Sequence, residues 1–83
     1  MGDDEREKVI LEVEEPLPIV FGITLAPGAY VGMRGRYWLG SQYFVELTAG
    51  EVERLGGNPR ENEDDKSLYE VTRFVRMGKI TVI

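Results

Sequence analysis

Few side chains in this sequence have the type and spacing that catalysis needs. Nucleophilic catalysis commonly uses a serine, threonine or cysteine beside a base, and the 83-residue chain contains no histidine and no cysteine. Ser41 and Ser67 are its only serines, and both fall at predicted turn or strand-start positions. Adjacent carboxylates occur as Glu14-Glu15 and Asp64-Asp65, but both pairs lie in charged stretches typical of a solvated surface. We therefore expect no enzymatic activity.

Metal and cofactor sites are equally poorly supported. Residues 61–65 (ENEDD) offer oxygen ligands for calcium, but they lack the ordered spacing and the glycine of an EF-hand loop. The absence of cysteine and histidine removes the commonest zinc ligands. The glycines between positions 28 and 40 form no phosphate-binding fingerprint, because they are predicted to separate strands rather than to lead into a helix. We expect no metal and no cofactor.

The charge of the chain is distributed unevenly. The formal net charge is −5, and residues 1–15 carry seven acids against two bases, whereas residues 16–60 carry three against four. A middle segment so close to neutrality provides no broad basic field for phosphate, so direct nucleic-acid binding is not expected. Residues 16–30 are the longest strongly apolar stretch and are too short to span a bilayer, and no signal-peptide pattern is present. We expect a soluble protein made in a cytoplasm, with no membrane partner.

Alternating apolar residues predict strands over most of the chain. The predicted strands are Lys8–Glu14, Ile19–Leu25, Tyr43–Leu47 and Ile80–Ile83, with a tight hairpin around Arg34-Gly35 and turns at 26–29 and 40–42. Thr48 and Glu51 have the spacing of a capping box, which predicts a short helix over about residues 49–55. Residues 67–77 favour a strand because of their β-branched and aromatic residues, although Leu68, Val71 and Val75 would also share one helical face.

These patterns predict a single small domain that is mainly β. We expect a compact β-barrel or sandwich-like fold of about five to six short strands with one short helix. A charged arm at residues 1–8 precedes the β-rich domain at residues 9–83, which carries an exposed acidic loop at 58–66. A domain of this size without disulfides or metals often gains stability from assembly, which predicts a homo-oligomer or a complex with other proteins.

The candidate functional residues are those suited to a protein–protein interface. Tyr, Trp and Arg dominate interface hot spots, and here they cluster as Arg34, Arg36, Tyr37 and Trp38. Trp38 fits a core position equally well. The same four residues could also stack on single-stranded bases, which the net acidity of the chain disfavours. Two further interface candidates are the stretch stiffened by Pro16 and Pro18, and the terminal strand edge with Ile80 and Val82, which could pair with a neighbour by β-addition.

One segment resembles a known family. Residues 28–57 (GAYVGMRGRYWLGSQYFVELTAGEVERLGG) resemble a small domain of tailed bacteriophages that is encoded near the capsid and head–tail genes. The matching residues are Tyr37, Gly40, Phe44, Val45, Leu47, Thr48, Glu51, Glu53, Arg54 and Leu55. The resemblance implies a virion protein that decorates or cements the capsid or fits at the head–tail joint, and it implies no catalytic residues.

We therefore predict a non-enzymatic phage structural protein that binds capsid or head–tail subunits, or further copies of itself, within the virion. A second hypothesis is a small acidic inhibitor of a host nucleic-acid-binding protein, of the anti-CRISPR or polymerase-inhibitor type. Its acidic N-terminus and the cluster at 61–65 would imitate phosphate charge. A third is an intracellular binding module unrelated to viruses.

Overall fold

The computed structural model describes residues 6–38, 40–58 and 66–83. Within these ranges the chain forms seven strands and two short helices. They are β1 (Arg6–Val13), β2 (Leu17–Pro18), β3 (Thr24–Leu25), β4 (Gly28–Tyr37), β5 (Gly40–Leu47), α1 (Ala49–Arg54), β6 (Ser67–Glu70), α2 (Thr72–Arg76) and β7 (Ile80–Val82).

The main sheet has five strands in the order β6-β5-β4-β1-β7, and every neighbouring pair is antiparallel. β1 and β4 pair over eight positions, from Arg6 opposite Gly35 to Val13 opposite Gly28. β2 and β3 form a separate two-stranded ribbon. The mainly-β prediction is confirmed. The sheet described is not a closed barrel, because β6 and β7 each have a single strand neighbour among the described residues.

One face of the sheet carries the hydrophobic core. Val9, Leu11 and Val13 alternate along β1 and point into this core, as their spacing predicts. Further buried side chains come from both sheets, from the connection between β2 and β3, from α1 and from the segment after β6: Leu17, Ile23, Leu25, Val45, Leu47, Val52, Tyr69, Val71 and Ile80. Each fully buried aliphatic side chain stabilises the fold by about 1.5–3 kcal/mol.

β4 is one continuous strand, so the hairpin predicted around Gly35 is wrong. Gly35 lies opposite Arg6 of β1 on one side and opposite Gln42 of β5 on the other. Because both neighbours pair there, a locally turn-prone sequence is held extended by its ladder partners. The connection between β4 and β5 lies after Tyr37, and β5 already begins at Gly40, where a turn was predicted.

The strand predicted at Ile19–Leu25 is also wrong over most of its length. Phe21 and Gly22 have φ of 57° and 74°, and this left-handed conformation reverses the chain. The Ile19 amide donates to the Ile23 carbonyl at 2.8 Å across this turn. Only Thr24–Leu25 remains in a strand, paired with Leu17–Pro18.

The capping-box prediction is confirmed. Thr48 Oγ1 accepts from the Glu51 amide at 3.2 Å, and Glu51 Oε1 accepts from the Thr48 amide at 2.8 Å. The helix they begin, α1, ends at Arg54, one residue before the predicted end, and Gly56 follows with φ of 90°. Loss of such a cap typically costs about 1 kcal/mol.

The segment predicted as a strand over residues 67–77 is instead a strand followed by a helix. β6 ends at Glu70, and α2 carries Phe74 and Val75, which pack against the core. β6 and β7 are the two opposite edges of the sheet, so the connection through α2 crosses the core face from one edge to the other. The opposite face has no helix packed on it among the described residues.

The predicted N-terminal arm overlaps the sheet. β1 begins at Arg6, so residues 6–8 of the arm predicted at 1–8 belong to a strand paired with β4. Residues 1–5 and positions 59–65 of the predicted acidic loop lie outside the described residues. The acidic segments that motivated the inhibitor hypothesis therefore fall largely in these undescribed stretches.

Candidate functional site: two exposed surfaces of the sheet

The first surface is the tip of the hairpin formed by β4 and β5, which carries Trp38. The two strands pair over six positions, from Gly32 opposite Val45 to Tyr37 opposite Gly40. Gly40 has φ of 120°, a conformation that a glycine adopts without steric cost. Trp38 is 90% exposed, so the core position that the sequence left open for it is excluded.

Arg34 is bound within the sheet. It lies directly opposite Glu7 of β1, and its Nε donates to Glu7 Oε1 at 2.7 Å while its Nη2 donates to the same oxygen. The hydrogen bond to Glu7 raises the pKa of Arg34 because it stabilises the charged guanidinium, and a second bond to Tyr43 acts in the same direction. Arg34 therefore supports the hairpin from β1.

Arg36 is the exposed basic residue of the predicted cluster. It lies opposite Ser41 in the β4–β5 ladder, two residues before Trp38. The side chain of Tyr37 lies outside the described residues. Of the four clustered candidates, the structure thus brings Arg36 and Trp38 to the exposed hairpin tip and ties Arg34 to β1.

Pro16 and Pro18 are exposed on either side of the buried Leu17, in the segment that follows β1. They lie near the Gly28 end of β4, whereas Trp38 lies beyond the Tyr37 end. A ten-residue strand separates these ends by about 33 Å. The prolines and the hairpin tip do not form a common site.

Ile80 and Val82 do not present their side chains as the sequence suggested. Ile80 is 2% exposed and belongs to the core, and Val82 is half-buried against it. β7 is nevertheless an edge strand of the described sheet, paired only with β1. Any β-addition here would use its backbone rather than these two side chains.

The second surface is the face of the main sheet that points away from the core, and sequence reasoning missed it. We call it the outer face. Ile10 and Val31, which lie opposite one another, are 40% and 44% exposed. The strand registers place these further residues on the same face: Arg6, Lys8, Glu12, Ala29, Met33, Gln42, Phe44, Glu46, Lys66, Leu68, Glu70, Thr81 and Ile83. An apolar band thus crosses a face that is otherwise charged.

The only sequence signal for the outer face is weak. Ile10 is the apolar residue that breaks the alternation of Val9, Leu11 and Val13 along β1. Val31, which lies opposite Ile10, and Phe44, which lies two strands away from it, come from other strands, so their place on the same face depends on register. The sequence also did not indicate that Phe21 is exposed. Its side chain is 68% exposed and packs edge-on against Tyr69, with the ring centroids 6.1 Å apart.

No protein-family model matches the chain, and no curated protein or solved structure is significantly similar to it. The site must therefore be interpreted from its own geometry.

Among the described residues, no three acidic side chains converge in a way that would hold a metal ion. The helices described are six and five residues long, and neither is long or apolar enough to cross a bilayer. The one buried polar side chain in this part of the chain, Thr72, has its hydrogen bonds satisfied. The features that distinguish the described surface are exposed apolar side chains, among them Trp38, Phe21 and the pair Ile10 and Val31.

Proposed function

We propose that this chain is a non-catalytic protein-binding domain that serves as a structural component of a larger assembly, with Trp38 as its anchor. The observation that carries the proposal is the position of Trp38, 90% exposed at the tip of a hairpin. Burial of a tryptophan removes about 150–250 Å² from water, which at about 25 cal/mol per Å² corresponds to about 4–6 kcal/mol. Tryptophan is among the residues enriched in interface hot spots, and here it lies in the turn between two paired strands.

The support beneath the tip favours binding without rearrangement. β4 lies between β1 and β5, and the Glu7–Arg34 ion pair fastens it to β1 close to the tip. A rigid anchor loses little conformational entropy on binding, so more of the burial energy appears as affinity.

The charges near the tip favour a protein over a nucleic acid. Glu7 neutralises Arg34, which leaves two exposed bases at this end of the sheet: Arg36 beside Trp38, and Arg6 opposite Gly35 on β1. Binding to single-stranded nucleic acid combines stacked aromatic residues with a groove of several basic residues. A tryptophan with two exposed arginines nearby, and no groove of several basic residues, matches a protein hot spot better.

The test is site-specific photo-cross-linking. A photoreactive amino acid is placed at Trp38 and, as a matched control, at Glu53, which is exposed on α1. Irradiation in the cells that make the protein should give a discrete adduct from position 38 and none from position 53. Equal labelling from both positions, or none from either, would refute Trp38 as the anchor.

The identity of the adduct tests the predicted setting. The resemblance of residues 28–57 to a tailed-phage domain makes a capsid or head–tail subunit the partner that we expect. Mass spectrometry of the adduct from position 38 would identify the subunit. An adduct with a host nucleic-acid-binding protein would instead favour the inhibitor hypothesis.

A further inference from the structure

The outer face is electrically balanced, unlike the chain as a whole. Its charged side chains among the described residues are three bases and three acids: Arg6, Lys8, Lys66, Glu12, Glu46 and Glu70. Their sum is zero, whereas the chain carries −5. The net charge therefore does not oppose contact between two outer faces.

The charges are also ordered. Lys8 lies opposite Met33, Met33 opposite Phe44, and Phe44 opposite Glu70. This row crosses the sheet from a base on β1 to an acid on β6, with two apolar residues between them.

The neighbouring rows continue the pattern. After Arg6, the outward residues of β1 are, in order, Lys8, Ile10 and Glu12. Across the same three rows, the outward residues at β6 are Glu70, Leu68 and Lys66. Lys66 precedes β6, and its Nζ lies 3.5 Å from a carboxylate oxygen of Glu46, which places it on the outer face. The two sides of the face therefore carry opposite charge at both ends and an apolar residue in the middle.

We propose that the outer face binds a second copy of this chain. The two sheets pack face to face about a two-fold axis that runs parallel to the strands, between β4 and β5. This operation lays β1 of one subunit over β6 of the other.

The proposed symmetry matches the β1 and β6 ends of the three rows with complementary partners. In the middle row it also lays Val31 over Glu46 of the partner subunit, whose carboxylate is paired with Lys66 of its own chain. Lys8 meets Glu70 of the partner subunit, Ile10 meets Leu68 of the partner subunit, and Glu12 meets Lys66 of the partner subunit. Met33 packs on Phe44 of the partner subunit near the axis. Each contact occurs twice, because a two-fold interface is self-complementary.

Sheet geometry permits this arrangement. Packed sheets align with their strands within about 30° of each other, and flexible lysine and glutamate side chains can absorb the resulting offset at the rim. Three strands about 26 Å long and the shorter β6, about 13 Å long, spaced about 4.8 Å apart, give a contact of about 440 Å² per subunit. This is at the lower end of specific interfaces, so we expect a reversible dimer with a dissociation constant on the order of micromolar.

A two-fold axis perpendicular to the strands is less favourable. It would place each strand over its own copy and would match Lys8 with Glu12 of the partner subunit. However, it would also bring Glu46 against Glu46 of the partner subunit at the centre of the contact. Like charges directly opposed are destabilising, so the axis parallel to the strands is favoured.

Charge reversal tests the interface. Sedimentation equilibrium of the wild type over a range of concentrations should show a monomer–dimer equilibrium. Lys8→Glu replaces two attractive contacts with two repulsive ones and should weaken the dimer about tenfold. Arg54→Glu changes the net charge equally from the exposed surface of α1 and should leave the dissociation constant unchanged.

The decisive variant is the double reversal Lys8→Glu with Glu70→Lys, which should restore dimerisation. β1 and β6 are three strands apart, about 14 Å, so the two residues can compensate one another only between molecules. The second pair, Glu12→Lys with Lys66→Glu, repeats the test if replacement of Glu70 unfolds the protein. The proposal is overturned if the wild-type protein stays monomeric at millimolar concentration. It is also overturned if Glu12→Lys, rather than Glu70→Lys, restores dimerisation of the Lys8→Glu variant.

This interface is independent of Trp38. Its readout is the mass of the purified protein, whereas the proposed function is tested by cross-linking at the hairpin tip. Failure of one therefore leaves the other standing.

Discussion

Thr72 provides the sharpest test of how the sheet is completed. β6 ends at Glu70, yet the Val71 amide still donates to the Tyr43 carbonyl at 2.8 Å. The Tyr43 amide in turn donates to Thr72 Oγ1 at 2.9 Å. The Thr72 hydroxyl thus takes the place of a strand carbonyl and provides the last ladder bond before α2 begins.

Thr72→Val preserves the shape of this side chain and removes its acceptor. Thr72 is 6% exposed, so water cannot readily replace the hydroxyl, and the Tyr43 amide is left unsatisfied. An unsatisfied buried donor costs about 1–3 kcal/mol. For a domain of this size, that loss lowers the melting temperature by about 5–20 °C.

The assay is thermal and urea unfolding followed by circular dichroism, with Thr72→Ser as the matched control. Serine retains the hydroxyl and loses one methyl group, so it should cost about 1 kcal/mol or less. If the Thr72→Val variant is as stable as wild type, or is less destabilised than Thr72→Ser, the hydroxyl is not a ladder partner and the reasoning is refuted.

Three further predictions concern the core, the hairpin tip and alkaline pH. A Cβ at Gly32 would lie 2.5 Å from Leu11 Cδ1 and 2.6 Å from the backbone oxygen of Phe44, so Gly32→Ala should destabilise the fold by about 1–3 kcal/mol. Gly50→Ala is its control: the nearest atom would be 4.0 Å away in α1, and alanine should raise the melting temperature through helix propensity. Trp38 is the only tryptophan, so the fluorescence emission of the isolated monomer should be that of a water-exposed indole. Efficient quenching of this emission by acrylamide checks the expectation, and a shielded indole in the monomer would contradict the hairpin geometry. Burial raises the pKa of Tyr30, whose hydroxyl donates to the Ala26 carbonyl at 2.6 Å, so the neutral phenol stabilises the fold below about pH 10 and this contribution is lost as pH rises through the raised pKa. Urea unfolding above pH 10 should therefore show a steeper loss of stability in wild type than in Tyr30→Phe, and parallel curves would argue against this contribution.

Several local features were predictable because they depend on a few neighbouring residues. The Thr48 and Glu51 capping box needs only a spacing of three residues, and the alternation of Val9, Leu11 and Val13 needs only the period of a strand. The mainly-β class follows from such patterns. In the cluster at residues 34–38, Trp38 is exposed and Arg34 is engaged by a residue 27 positions away, and its role as an interface stays a prediction.

The local conformations that only the tertiary structure decided depend on partners that are distant in sequence. Gly35 resembles a turn residue locally, but β1 and β5 pair on both of its sides and hold it in a strand. Thr72 begins a helix where β-branched and aromatic residues favoured a strand, and its hydroxyl accepts a hydrogen bond from the Tyr43 amide of β5.

The outer face shows most clearly what the sequence determines and what the tertiary structure determines. The sequence by itself determines which side chains alternate along each strand, since that depends on the backbone period alone. Register determines which strands bring their apolar and charged residues side by side, and a shift of one residue would turn each side chain to the other face. The row from Lys8 to Glu70 spans four strands, so only the assembled sheet could reveal it.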